Sequence, residues 1–150
     1  MTPAFRRWAF AAVGPRQLVV VRAVVGAIFV SEGAQKFLFA AELGSGRFAK
    51  IGIPFPDVMG PFVGVVEIVG GALLAVGVAV RAVSVPLLIS MVVAITTTKL
   101  VTLPKNGFWK TAHEGRTDLL MIAGLAMMLM VGERPKEDGG EPPRREGRQE

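Results

Sequence analysis

The chain has 150 residues, of which 51% are hydrophobic, and a mean hydropathy of +0.50. Its charge gathers at the two ends and in two loops instead of running through its helices, which excludes an ordinary soluble domain. The formal net charge of +5 includes no basic face interleaved with aromatic residues, so nucleic acid is not a predicted partner, and the lack of cysteine excludes disulfides and thiolate metal ligands. The apolar residues fall in four blocks, which predicts an all-α, polytopic transmembrane four-helix bundle.

Residues 1–16 form a basic N-terminal segment that contains aromatic side chains. Arg6 and Arg7 lie between Phe5 and Trp8. A short amphipathic helix in the membrane interface fits this pattern, with the tryptophan at the level of the lipid headgroups, and a frayed basic tail fits it equally well.

The predicted transmembrane domain covers residues 17–132 and contains four spans. The spans are residues 17–39, 58–80, 82–103 and 117–132. Glycine and proline residues between the first two spans predict a loop at 40–57. Arg81 marks a tight turn after the second span, and Pro104 closes the third. The fourth span is the shortest, at roughly 24 Å if fully helical, and we expect it to gain a turn from the preceding loop.

The tail, residues 133–150, is charged and rich in proline and glycine. We predict that it is disordered, because it cannot bury enough apolar surface to fold. Four spans place both termini on one side of the membrane. Basic residues are modestly more frequent on that side, which favours cytoplasmic termini in a bacterial inner membrane.

An ionisable residue interrupts the second span near its middle. Glu67 is the one charged residue within 58–80, and a charge at that depth costs roughly 3 kcal/mol or more, so it requires a partner or a role. Helical depth, at about 1.5 Å per residue, places four other ionisable side chains in the same half of the bilayer. We predict one buried network of Glu32, Lys36, Glu67, Lys99 and Asp118, whose members are candidates for ligand binding or proton relay. Within it, Glu32 and Lys36 have the four-residue spacing of a helical ion pair.

Glycine residues recur on the helix faces that carry these charges. On the first span they share the face of Lys36, and on the second span a Gly-x-x-x-Gly motif shares the face of Glu67. Small residues on a charged face predict that this face contacts other helices and not lipid. The predicted helix-packing residues are Gly26, Gly33, Gly60, Gly64 and Gly71.

Two interpretations of the charged network stay open. It could hold the helices in register, because lipid gives no hydrophobic drive for helix association, or it could bind a polar or redox-active ligand or carry protons. No metal site is predicted, since His113 is the one histidine and there is no cysteine. For the same reason we predict no covalently attached or metal-ligated cofactor, and we assign no catalytic residue. We interpret one methionine cluster as adaptable packing: Met121, Met127, Met128 and Met130.

Two sets of residues carry a resemblance to a known family. On the first span and the following loop they are Arg22, Gly26, Phe29, Gly33, Lys36 and Gly52-Ile53-Pro54. On the second span they are Phe62, Glu67, Gly70-Gly71, Leu73-Leu74, Gly77 and Arg81. With these residues the chain resembles the DoxX family of small four-helix membrane proteins over residues 22–132. Many members of the family end the last span with a Gly-rich segment that contains Ser and Asp, whereas this chain has Gly132-Glu133-Arg134-Pro135.

The resemblance implies a membrane subunit of a quinone-linked redox complex, with protein partners or a second copy of the chain. We hypothesise that Glu67 and Lys99 hydrogen-bond the carbonyl oxygens of a quinone, while Glu32 and Lys36 tune protonation. The electrons would come from a partner, so we do not expect the chain to be an enzyme on its own. The alternatives are a small proton-coupled solute transporter and a non-catalytic membrane scaffold.

Overall fold

The structure is a computed structural model that describes residue 2 and residues 18–131. Its helices, in chain order, are α1 (Leu18–Leu38), α2 (Ser45–Lys50), α3 (Pro56–Val76), α4 (Val80–Ala94), α5 (Leu100–Asn106) and α6 (Phe108–Met130). A π-helical segment, Ile95–Lys99, joins α4 to α5 without a break. The described residues contain no strand, so the predicted all-α class is confirmed. The predicted tail, and the basic N-terminal segment apart from residue 2, lie outside the described residues.

Within the described part of the chain, three helical stretches are long and apolar enough to span a membrane. They are α1, α3 and the continuous stretch Val80–Asn106, which has 27 residues. The predicted membrane protein is therefore confirmed. The last helix, α6, is 23 residues long, but charged residues occupy its first half, and the predicted fourth span corresponds to its apolar second half. The number of four spans stays a prediction.

The polar ends of the helices extend beyond the predicted spans. α6 begins at Phe108 and not at residue 117, so most of the predicted loop before it is helical. The preceding helix continues through Pro104 and ends at Asn106. Gly107 follows it with a φ of 76°, a positive value that favours glycine. Hydropathy detects only the part of a helix that lies in lipid, so it predicts a loop where these polar turns are helical.

The connection between α3 and α4 is a tight turn, as predicted, but it lies a few residues before Arg81. Gly77 and Ala79 both have positive φ, 85° and 48°, and Arg81 is the second residue of α4. The left-handed residue after α3 lets the backbone N–H of Gly77 cap the carbonyl oxygens of Leu73 and Leu74.

The α1–α3 contact is the most extensive contact between helices, and glycine makes it possible. A Cβ added at Gly26 would lie 2.5 Å from the carbonyl oxygen of Gly71, and one added at Gly33 would lie 2.6 Å from the carbonyl oxygen of Gly64. The two backbones therefore touch at two levels of an antiparallel pair. Close backbone approach of this kind is how membrane helices gain van der Waals contact without a hydrophobic drive.

The short helix α2 packs against the beginning of α3. A Cβ at Gly60 would lie 2.8 Å from the backbone nitrogen of Ser45, so the last of the five predicted packing glycines also lies at a close contact. The side chain of Phe48 is buried beneath α2. The predicted loop 40–57 thus contains a helix that covers one end of the bundle.

The apolar core lies at the opposite end of the bundle, where α1 begins and α6 ends. Its fully buried large apolar side chains come from four helices: Phe29, Leu74, Val80, Leu87, Leu125 and Met128. The methionine cluster divides between this core and the outer surface. Met121 and Met128 are buried, whereas Met127 and Met130 point outward, since a helix places residues seven apart on the same face.

Arg81 joins the beginning of α4 to the end of α6. Its Nη2 donates a hydrogen bond to the carbonyl oxygen of Val131 at 2.7 Å, and the residue is buried. The last carbonyl groups of a helix lack intrahelical partners and carry partial negative charge. The guanidinium satisfies one of them and complements the helix dipole.

We expect Arg81→Gln to lower the free energy of unfolding by about 1.5–3 kcal/mol, the range for a hydrogen bond that involves a charged group. Thermal unfolding of the purified protein in detergent measures this effect. Arg116→Gln makes the same chemical change at an exposed residue of α6 and is expected to alter stability by less than about 0.5 kcal/mol. Equal stability of the two variants would contradict the assigned role of Arg81.

Candidate functional site

The antiparallel packing of α1 on α3 directs two oppositely charged side chains toward each other. Lys36 follows Gly33 by about one turn, and Glu67 follows Gly64 by about one turn. Side chains on a helix lean toward its N-terminus. Because the two helices run in opposite directions, the side chains of Lys36 and Glu67 point toward each other at the level of the Gly33–Gly64 contact.

The result is an ion pair between Lys36 Nζ and Glu67 Oε2 at 2.5 Å. The two side chains are 13% and 7% exposed. A charge-assisted bond of this length in a buried setting is among the strong polar contacts of a protein. Glu67, the isolated acid of the second predicted span, therefore has a partner on the neighbouring helix.

The predicted side-chain pair between Glu32 and Lys36 does not form. Lys36 Nζ instead contacts the backbone carbonyl oxygen of Glu32 at 3.5 Å. The ammonium group is drawn across to Glu67, and the Glu32 side chain is exposed. The four-residue spacing allowed an ion pair, but the neighbouring helix supplied a better-buried acceptor.

A cavity of about 580 Å³ lies beside this ion pair, between α1, α2, α3, α4 and α6. Apolar side chains form much of its wall. Phe29, Met91 and Met121 also belong to the core or pack at its edge, so they close the cavity on the core side. Phe48 of α2 and Phe62 of α3 line it at the other end.

All five predicted site residues line this cavity, together with Arg47 of α2. Three carboxylates therefore face three cationic side chains, and their formal charges cancel. They do not form the single bonded network that was predicted. Among the described residues, the ion pair joins only Lys36 and Glu67, and neither Lys99 nor Asp118 makes an ion pair. Lys99 and Asp118 lie on other helices, across the width of the cavity, so each keeps its hydrogen-bonding capacity.

The π-helical segment shapes the cavity wall opposite the ion pair. The Thr97 hydroxyl donates to the carbonyl oxygen of Val93 at 2.7 Å, and the Thr98 hydroxyl donates to that of Ala94. Threonine hydroxyls bonded back to the helix in this way distort it, and π-helical turns recur at functional sites. Because each hydroxyl already donates its proton to a carbonyl oxygen, the two threonine oxygens can only accept hydrogen bonds at the cavity.

Five polar residues that line the cavity are not among the predicted site residues: Arg47, Ser90, Thr97, Thr98 and Thr117. The sequence predicts a loop around Arg47, and nothing near this residue indicates that α2 folds back over the bundle. The threonine run had a detectable signal, because three consecutive hydroxyl residues stand beside Lys99 at the end of an apolar block.

The described residues contain no group of three or more His, Cys, Asp or Glu side chains that could hold a metal ion. His113 lies on the exposed surface of α6, where Arg116 Nη1 contacts its ring nitrogen at 3.1 Å. It does not line the cavity. The chemistry that the cavity residues offer is hydrogen bonding, charge stabilisation and proton transfer.

Comparison with known proteins agrees with the resemblance found in the sequence. The sequence model of the DoxX family matches residues 17–100. The match includes the Lys36–Glu67 pair and Lys99 but ends before α6, which carries Asp118. An uncharacterized membrane protein of Mycobacterium tuberculosis (strain ATCC 25618 / H37Rv) is 46% identical over 125 residues, which cover 79% of this chain and 77% of the relative. No solved structure matches the chain. The chain belongs to the DoxX family of membrane proteins.

Proposed function

We propose that this protein binds a quinone, or a similar small molecule with a polar head and an apolar body, as a membrane subunit of a quinone-linked redox complex. The observation that carries the proposal is the buried Lys36–Glu67 ion pair at the wall of a large, mainly apolar cavity. A partner subunit supplies the electrons in this proposal, and a bacterial inner membrane with both termini in the cytoplasm is the proposed setting.

The size and lining of the cavity suit such a ligand. Its volume of about 580 Å³ falls within the roughly 300–1,000 Å³ of small-molecule sites, which combine apolar walls with a few placed polar groups. Aromatic and methionine side chains offer contacts to a flat ring and its apolar substituents. Charged groups on two facing walls offer hydrogen bonds to polar atoms at both edges of that ring.

The chemistry of the polar groups supports carbonyl recognition. The Lys36 ammonium has three N–H donors, of which one is directed at Glu67 and one at the Glu32 carbonyl oxygen. A further donor remains for a ligand oxygen. Lys99 offers donors from the opposite wall, and Asp118 offers a carboxyl group that can hold a proton. Quinone reduction consumes protons together with electrons, and carboxyl groups beside the ring can deliver them.

Saturation binding of decylubiquinone, a quinone with a short apolar tail, to the protein in lipid nanodiscs tests the proposal. We expect saturable binding, and we expect Glu67→Gln to raise Kd about tenfold, equivalent to about 1.4 kcal/mol. The amide removes the charge that holds the Lys36 ammonium at the cavity wall. Glu42→Gln makes the same chemical change at an exposed residue outside the cavity and is the matched control, with an unchanged Kd.

Absence of saturable binding to the unmodified protein, or equal Kd values for the two variants, would overturn the proposed function. The two alternatives give other outcomes. A proton-coupled transporter shows solute flux in proteoliposomes that Glu67→Ala abolishes. A scaffold captures its protein partner unchanged after Glu67→Leu and Lys99→Leu together.

A further inference from the structure

One face of α6 carries polar and small residues from the end of the bundle down to the cavity. Thr111, Gly115 and Asp118 are spaced four and three residues apart, which places them on one side of the helix. The neighbours of α6 include α4, α5 and the π-helical segment. Asp118 lines the cavity, and the other two residues lie between Asp118 and the beginning of the helix.

Open space lies in front of Gly115. The residue is buried, yet a Cβ added to it would find no atom within 4 Å outside its own surroundings in the helix. The buried glycines of α1 behave in the opposite way, since a Cβ at Gly26 or Gly33 would collide with the backbone of α3. Close packing of two helices therefore does not explain the glycine at position 115.

Thr111 gives a second and independent observation. Its residue is 8% exposed, and its Oγ1 is buried without a hydrogen-bond partner among the described residues. Thr97 and Thr102 satisfy their hydroxyls by donating to a carbonyl oxygen one turn back in the helix. Thr111 does not, although leaving a buried hydroxyl unpaired is unfavourable. This hydroxyl lies about one turn before the open space at Gly115 and has no partner among the described residues.

The beginning of α6 lies where a membrane surface would be expected. Phe108 and Trp109 are both exposed and form an edge-to-face pair with ring centroids 5.3 Å apart. Exposed aromatic residues beside charged ones are typical of the interface between lipid and water. The face that starts at Thr111 therefore begins close to water and ends at a carboxyl group inside the bundle.

We propose that Thr111, Gly115 and Asp118 line a narrow passage that admits water from the membrane surface to the cavity. In this passage the Thr111 hydroxyl hydrogen-bonds a water molecule, and Gly115 leaves space because it has no side chain. The Asp118 carboxylate hydrogen-bonds water where the passage meets the cavity. The use of that water as a proton source rests on the proposed function, whereas the passage itself does not. Its consequence is that protons from the aqueous phase can reach the cavity that holds the Lys36–Glu67 pair.

Cysteine accessibility tests the passage directly, because the chain has no cysteine of its own. Thiols react as thiolates, which form where water reaches them. In proteoliposomes we expect Gly115→Cys and Asp118→Cys to be modified by a charged, membrane-impermeant thiosulfonate at least about tenfold faster than Leu120→Cys, because only the first two positions face water. Leu120 is 72% exposed on the outer, lipid-facing side of α6 at nearly the depth of Asp118, and is the matched control.

A plugging variant adds a second measurement. Gly115→Leu, combined with Asp118→Cys, is expected to slow modification of the thiol to the rate seen at Leu120→Cys. Gly115→Leu combined with Leu120→Cys shows whether the plug disturbs the fold, since its reactivity stays low if α6 is intact. Equal, slow modification at positions 115, 118 and 120 would overturn the passage, as would fast modification of Asp118→Cys behind the plug. These rates are measured without quinone, so they are independent of whether the proposed ligand binds.

Discussion

Gly33→Ala is expected to destabilise the protein, whereas Gly115→Ala, the same substitution in another helix, is expected to stabilise it. At position 33 the new methyl group would lie 2.6 Å from the Gly64 carbonyl oxygen and 2.9 Å from the backbone nitrogen of Ile68. Backbone atoms have no alternative rotamer, so α1 and α3 must move apart. An overpacked contact of this kind costs about 1–3 kcal/mol. At position 115 the methyl group meets open space, and replacing a glycine inside a helix gains about 0.5–1 kcal/mol.

Thermal unfolding of both variants in the same detergent measures the difference between them. Circular dichroism at the start of the transition verifies that each variant is folded. The two variants are expected to change stability in opposite directions. If alanine were simply tolerated in these helices, both variants would be more stable than the unmodified protein. A stable Gly33→Ala variant would show that the backbones of α1 and α3 are not in contact at this level.

Removing one partner of the Lys36–Glu67 ion pair is expected to cost more than removing both. Glu67→Leu leaves an unpaired ammonium group in a buried position, and loss of one partner from a buried pair typically costs about 3–5 kcal/mol. Glu67→Leu with Lys36→Met replaces both charges by apolar side chains of similar length. Because burial of the pair also carries a desolvation cost, the double variant is expected to recover most of the lost stability.

A double-mutant cycle on unfolding free energies gives the coupling between the two side chains. We expect a coupling of more than about 1.5 kcal/mol, in the range for charge pairs that are in contact. Glu42→Leu with Lys50→Met provides the control cycle, since both residues are exposed and form no ion pair with each other. Additive effects at Lys36 and Glu67 would mean that the pair does not hold α1 and α3 together.

The membrane class, and the proximity of the ionisable residues, were readable from the sequence. Apolar blocks of sufficient length identify helices that lie in lipid. Glu67 stood out because a carboxylate is expensive in that solvent. Depth along the helices groups Glu67 with Lys36, Lys99 and Asp118, and in the structure all four line one cavity.

The contacts within that group could not be predicted from the sequence. Depth gives the position of a residue along the membrane normal, whereas a contact also depends on its position in the membrane plane. Glu32 and Lys36 had suitable spacing along α1, but Lys36 bonds across to α3. The direction in which a long side chain reaches depends on which helix lies beside it and whether that helix runs parallel or antiparallel. Periodicity within a single helix contains no such information.

Hydropathy also missed the polar parts of the fold. α2 and the first turns of α6 are helical, yet they carry enough glycine or charge to look like loops. Because α2 has the composition of a loop, the sequence does not predict that Arg47 lines the cavity. Segments that lie at the membrane surface are held by contacts with the bundle, and these contacts leave no periodic apolar pattern in a short segment.

The sequence by itself determined that this is an all-α membrane protein of the DoxX family, and it showed which apolar blocks carry ionisable residues and glycines. Composition and helical periodicity are sufficient for these conclusions, because a charged residue in lipid is energetically costly. Only the tertiary structure decided that Lys36 meets Glu67, that Lys99 and Asp118 remain apart from them across a cavity, and that Gly115 faces open space while Gly33 faces backbone. Those outcomes depend on the distance and direction between neighbouring helices, which close glycine contacts set and no single helix encodes.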